Sequence, residues 1–200
     1  MSKCKLYFYY GTMGSCKTLK LLTTAYNLEE NGIPFIVLKP SIDTRDGIGV
    51  VHSRIGIQRD CILLSENDDI FNAINTYNSS YEKLDWVLID ECQFLTEEQV
   101  NQLAEIVDEL DINVMCFGLR TDFRSHLFSG SKRLFELADT IGEVKSRCSC
   151  GGKTIINARF DKDKNLVLNG EQIMIGGNET YKPLCRKCWA RIIKNNTSLS

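Results

Sequence analysis

The run GTMGSCKT (11–18) places a lysine and a threonine where a phosphate-binding loop places them. The template is G-x-x-x-x-G-K-[ST], and Gly11, Lys17 and Thr18 fill its first, seventh and eighth positions. In such a loop the backbone N–H groups of the turn, here Gly11, Thr12, Met13, Gly14, Ser15 and Cys16, converge on phosphate oxygens. Lys17 would reach the β- and γ-phosphates, and the Thr18 hydroxyl would ligate Mg²⁺. Cys16 stands where the template has glycine, at a point where backbone must pass close to phosphate. An ordinary glycine-bearing strand–helix turn is the plain alternative.

A second constellation answers the first. WVLIDECQF (86–94) is an apolar run that delivers Asp90 and Glu91 at its carboxyl end, where open α/β sheets place ligands. An acidic residue there holds the metal of a phosphate-loop enzyme. Its neighbour Glu91 is left for another task, such as taking a proton from an attacking hydroxyl. The third constellation is Cys148-x-Cys150 and Cys185-x₂-Cys188. Four thiolates suit a tetrahedral, structural Zn²⁺ with no position left open for water. The other cysteines, Cys4, Cys16, Cys61, Cys92 and Cys116, are scattered singly and read as small buried apolar residues.

The elements that must position these groups follow from local pattern. CKLYFYY (4–10) reads as a buried strand ending at Gly11, and 17–32 as a helix terminated by Gly32. Strands are expected at 33–40, 86–90, 112–119 and 141–146, and helices at 67–79, 96–110 and 131–140. Thr96 is the N-cap of the 96–110 helix, with acidic residues in its first turn. The polar stretch 41–56 reads as a loop. Strands alternating with helices predict an α/β fold, a largely parallel sheet covered on both faces. From about residue 147 the texture changes to cysteine pairs, glycines and short alternating runs. The expected organisation is a phosphate-loop domain over 1–146, a small zinc-stapled β module over 147–194 and a disordered tail over 195–200.

Composition narrows the classes. The 200 residues are 43% hydrophobic and 25% charged with a net charge of −2, an ordinary folded chain with no general pull toward nucleic acid or anionic membrane. No apolar stretch approaches the ~20 residues needed to span a bilayer. The opening MSKCKLYFYYGT lacks a secretory h-region, so a cytoplasmic location is expected. In that compartment paired cysteines read as metal ligands rather than disulfides.

GTMGSCKT, DTR (43–45), DECQF (90–94), GLRTDFRSHLFSGSKRL (118–134) and IGGNETYKPLCRKC (175–188), in this order, resemble the zinc-containing thymidine kinases of bacteria and animal cytosol. The resemblance runs from about residue 5 to 190. It implies that Glu91 is the catalytic base, taking the 5′-hydroxyl proton of thymidine or deoxyuridine as that oxygen attacks the γ-phosphate of ATP. It implies Asp43, Arg45 and Gln93 on the phosphate and metal side together with Asp90. Met13, Phe94, Leu119, Thr121, Phe123 and Phe128 match the nucleoside pocket. A lasso loop with Gln172, Ile173, Met174, Ile175 and Gly176 would approach the base, and Tyr181 would cover it. ATP, Mg²⁺ and a structural Zn²⁺ are the implied cofactors. A homotetramer inhibited by dTTP is implied too, with neither nucleic acid nor membrane as a partner. Two other readings stay open at this point. Cys16 fits a nucleotide-binding relative with impaired catalysis. The cysteine pairs fit a zinc-ribbon nucleic-acid-binding ATPase, against which stand the acidic balance and the lack of a basic, aromatic-interleaved face.

Overall fold

The computed structural model describes residues 4–43, 47–81, 83–173 and 181–197. Its centre is a six-stranded parallel sheet formed by β1 (Leu6–Tyr10), β2 (Phe35–Pro40), β5 (Ile62–Leu64), β6 (Trp86–Ile89), β7 (Asn113–Gly118) and β8 (Thr140–Glu143). The spatial order is β5-β2-β6-β7-β1-β8, with every pairing parallel.

Alternation along each strand divides the core into two layers. Leu6, Phe8, Val87, Ile89, Val114 and Cys116 point to one face. There they meet α2 (Ile70–Ser80), α3 (Glu97–Leu110) and α4 (Ser129–Leu137) through Ile70, Ile74, Val100, Leu103, Ile106 and Leu134. Leu88, Met115 and Phe117 point to the other face and pack on Leu21, Leu22, Ala25 and Leu28 of α1 (Lys17–Glu30). The N-terminus of α3 carries the expected cap: Thr96 accepts from Gln99 N–H, and the Gln99 side chain returns the bond.

Several elements differ from expectation. The stretch 41–56 contains β3 (Val50–His52), which pairs antiparallel with β4 (Gln58–Asp60). α4 starts at Ser129 and stops before Ala138, whose extended backbone hands over to β8. That strand ends at Glu143 rather than 146. The second module is a three-stranded sheet in the order β10-β9-β11, from β9 (Ile156–Phe160), β10 (Leu166–Val167) and β11 (Tyr181–Leu184). α5 (Arg186–Thr197) starts directly after Cys185 and carries Cys188 in its first turn. Its Trp189 and Ile192 pack against Ile156, Ala158 and Leu184 in a small core of their own. Cys148 and Cys185 belong to that core and Cys188 packs against it, while Cys150 is exposed. Among the described residues no helix is long and apolar enough to cross a membrane.

Candidate active site

The phosphate-loop candidate runs from the end of β1 into α1. Gly11 N–H donates to the Gly118 carbonyl at 3.1 Å, which fastens the loop's start to β7. A β-carbon at Gly11 would lie 2.5 Å from the Val144 carbonyl oxygen, so only glycine fits that crossing. The Thr12 carbonyl accepts both Ser15 N–H at 3.2 Å and Lys17 Nζ at 2.9 Å. Cys16 has φ 66° and ψ 30°, the left-handed region. Its thiol is exposed, unlike the buried apolar role expected of the single cysteines. Cys92 and Cys116 do fill that role.

β6 ends beside β7, and β7 separates it from β1. Across that gap Thr18 Oγ1 donates to Asp90 Oδ2 at 3.0 Å. Asp90 is buried, and burial together with the Glu91 charge pushes its carboxyl up from 3.8 to about 7. Its other oxygen, Oδ1, is buried with no hydrogen-bond partner. A desolvated carboxylate oxygen next to a hydroxyl is a fitting start for Mg²⁺ coordination, and the cation would supply the charge that this carboxylate lacks.

Glu91 also takes the left-handed region, with φ 49°. Its carboxylate accepts from Gln93 Nε2 at 2.5 Å, and Gln93 Oε1 accepts from Leu119 N–H at 2.9 Å. Gln93 therefore links the candidate base to the backbone after β7. A β-carbon at Gly118 would lie 2.7 Å from Gln93 Oε1, so glycine there lets the amide in. Gln93 thus faces Glu91 and the nucleoside cleft, a place its sequence context did not indicate.

That cleft is tight as it stands, with about 40 Å³ of open volume. Met13, Phe94, Leu119, Thr121, Phe123, Phe128, Gln172, Ile173 and Tyr181, all expected of the nucleoside pocket, line it together. Phe94 and Phe128 meet edge to face at 6.0 Å between ring centres. Asp43 lines it as well and pairs with the buried Lys39 at 3.1 Å. Asp122 and Asn157, which sequence reasoning missed, complete the wall. Asp122 accepts from the backbone N–H groups of Arg124 and His126 and from Gln172 Nε2 at 3.2 Å, which ties the lasso arm to the pocket. The same arm is clamped by Arg159, which donates to the Glu171 carbonyl at 2.9 Å and stacks 3.8 Å over the Phe123 ring. Arg45, Met174, Ile175 and Gly176 lie outside the described residues.

Cys148, Cys150, Cys185 and Cys188 converge with all four Sγ atoms within 4.8 Å of one another. A tetrahedral ion at ~2.3 Å from each sulfur needs a spacing near this. The thiols conflict when left to themselves. Backbone N–H groups of Cys150 and Cys185 lower Cys148 to about 6, while the bond to Cys150 pushes Cys188 up to about 12. A dication resolves the conflict by favouring the thiolate at every position. The donor set fits structural Zn²⁺.

The sequence matches the thymidine kinase family over residues 4–189. The chain belongs to that family. It is 48% identical to the thymidine kinase of Streptococcus agalactiae over 184 residues, covering 92% of this chain and 95% of the relative. It is 49% identical to that of Streptococcus pyogenes over the same coverage. Among solved structures, the genome packaging NTPase B204 of Sulfolobus turreted icosahedral virus 2 shares 12% identity. It covers 76% of this chain and 79% of its own at a TM-score of 0.48, a likeness too loose to bear on function.

Proposed function

We propose that this chain transfers the γ-phosphoryl group of ATP to the 5′-oxygen of thymidine, with deoxyuridine as a second acceptor. The single observation that carries the reading is the Thr18–Asp90 contact. It brings the phosphate loop to the Asp90–Glu91 pair, beside a cleft walled by Met13, Phe94, Leu119, Phe123 and Phe128.

The chemistry is mostly positioning and charge stabilisation. The apolar walls hold the base, and Tyr181 with the lasso arm excludes water from it. Gln93 fixes the Glu91 carboxylate, which accepts the proton of the 5′-hydroxyl as that oxygen turns nucleophile. Lys17 leaves the Thr12 carbonyl for the phosphate oxygens, and the amides of residues 11–16 cradle them. Asp90 and Thr18 are the residues to hold Mg²⁺, which when bound offsets the negative charge of the transferring phosphoryl group. Zn²⁺ on the four cysteines keeps the module shaped. A cytoplasmic homotetramer inhibited by dTTP, the end product of the pathway the phosphorylated nucleoside feeds, accords with the family resemblance.

The test is ADP release with and without added acceptor. Thymidine should stimulate it strongly. Stimulation by DNA instead would favour a zinc-ribbon ATPase, and silence with every acceptor a non-catalytic nucleotide binder; either result overturns the proposal.

A further inference from the structure

Three hydroxyls and one amide lie on the seam between the zinc module and the phosphate loop, and the phosphoryl transfer described above does not use them. Thr12 Oγ1 is 2.8 Å from Thr154 Oγ1 and 2.9 Å from Ser146 Oγ. The Ser146 and Thr154 hydroxyls bond each other as well. Each hydroxyl has one proton, and Thr154 Oγ1 can give its own to the ring or to the Ser146 carbonyl 3.2 Å away; when it stays in the ring, every member donates once and accepts once. Such a ring polarises in one direction and strengthens itself. Beside it, Asn157 Oδ1 accepts Met13 N–H at 2.8 Å while its Nδ2 donates to the Thr121 carbonyl at 3.3 Å. Thr12, Thr154 and Asn157 are all buried, so water is a poor substitute for any lost partner.

The ring bears on ATP through Thr12. The carbonyl of that residue holds Lys17 Nζ and Ser15 N–H, so the pose of Thr12 sets the shape of the cradle. On the other side the ring reaches the metal. Thr154 N–H donates to the Ser146 carbonyl at 3.0 Å, and Arg147 bridges Lys153. Beyond them Cys148 N–H donates to the Gly152 carbonyl at 2.8 Å. Ser146 and Thr154 are thus opposite one another on a small hairpin whose tip carries Cys148 and Cys150. The hairpin's own pairing spaces the two hydroxyls, and the two sulfurs at its tip tie the hairpin to the Cys185 and Cys188 side of the module.

We propose that the zinc module positions the phosphate loop as well as the lasso, and that Thr154 is the positioning residue through which it does so. Backbone amides aimed at phosphate work only when held in place before the ligand arrives, since sub-ångström displacement weakens every bond of the cradle at once. The ring supplies that rigidity from outside the loop. Zinc loss therefore loosens ATP binding directly, not only nucleoside binding.

The inference rests on reading residues 11–18 as the ATP-phosphate site, and the test separates the two. The measurements are the Kd of a non-hydrolysable ATP analogue without nucleoside, KM for each substrate, and zinc content. Thr154→Val keeps the side-chain shape and deletes the hydroxyl. It should weaken the analogue and raise KM for ATP about fivefold, the worth of one buried neutral hydrogen bond. KM for thymidine should stay within about twofold, and zinc at wild-type content. Thr154→Ser should restore ATP binding. Chelating the zinc should weaken the analogue in the wild type but add little in Thr154→Val, because both perturbations act through one contact. Unchanged ATP binding in Thr154→Val, an equal rise in both KM values, or no rescue by serine would each overturn the proposal. Lys17→Ala is the control: if it too leaves analogue binding intact, the phosphate-site reading itself has failed.

Discussion

Cys16→Gly isolates the effect of a β-carbon at the narrowest point of the phosphate loop. The residue holds φ 66° and ψ 30°, a conformation that costs an L-residue roughly 1–2 kcal/mol. Gly14, two positions earlier, has φ +71° and occupies the same region freely. The Cys16 thiol is exposed and makes no capping bond to α1, so its removal costs no buried contact. Glycine, however, loses about 0.5–1 kcal/mol more backbone entropy on folding. The net gain in stability is therefore roughly 0–1.5 kcal/mol, at most about 3–6 °C in Tm for a chain of this size. The kinetic consequence is separate. Strain present equally in the empty and the loaded loop cancels from the affinity. Only the part that the empty loop can shed, and must take up again around ATP, weakens binding. Full relaxation of the empty loop gives ~1.4 kcal/mol, a factor of about ten. Steady-state kinetics and thermal melts of both forms measure the two effects together. The expected result is a slightly higher Tm and a kcat/KM for ATP raised by up to about tenfold, with KM for thymidine unchanged. If Cys16→Gly is neither more stable nor better with ATP, the thiol is tolerated and the strain argument fails. Inactivity of both forms would instead favour a nucleotide binder without catalysis.

Three further perturbations follow from the same geometry. Glu91→Gln should keep the fold and ATP binding while lowering kcat by on the order of 10²–10⁴; a variant with wild-type kcat would remove Glu91 from the proton transfer. Cys185→Ser should lower zinc content below one ion per chain and Tm by about 6–12 °C, since the metal closes a long excursion of chain worth ~3 kcal/mol, and metal-free protein of equal stability would refute a structural zinc. Asp90→Asn tests the buried carboxylate in Mg²⁺-free protein. With the folded value raised from 3.8 to about 7, the native state binds the extra proton between those limits. The wild type should therefore lose on the order of 4 kcal/mol as pH rises from 4 to 7, roughly three tenfold steps in proton affinity at ~1.4 kcal/mol each, and Asp90→Asn should not. Parallel stability profiles would show that Asp90 is ionised throughout.

The chemistry was legible because it sits where local pattern is strongest. A strand of alternating apolar residues followed by G-x-x-x-x-x-K-T can hardly fold except as strand, turn and helix, and an apolar run ending in Asp90-Glu91 must leave both carboxylates at a strand end. The cysteine pairs are equally local. What escaped is what tertiary packing decides. β3, β4 and β5 span three residues each, too short for a period to show among the glycines and charges around them. α5 carried a signal in the spacing of Trp189 and Ile192, but the nearby cysteines drew the reading toward a β module. α4 begins two residues earlier than its periodicity suggests, and Phe128 at its N-cap makes no side-chain bond to announce it.

Asn157, and the partners of Gln93 rather than Gln93 itself, escaped for a deeper reason. An amide in a sequence has no visible partner, and both residues bridge different parts of the chain: Gln93 joins the Glu91 carboxylate to the Leu119 N–H, and Asn157 joins the Met13 N–H to the Thr121 carbonyl. Read as separate motifs, the phosphate loop serves ATP and the zinc staple serves the lasso over the nucleoside. The Thr12–Thr154 contact joins positions 142 residues apart and undoes that division. One hairpin then answers to both substrates: its tip holds two zinc ligands, its sides hold Thr12, and the strand that follows presents Asn157 to the nucleoside cleft and Arg159 to the lasso arm. A metal at the far end of this small module can therefore set the geometry at which donor and acceptor meet, although it touches neither.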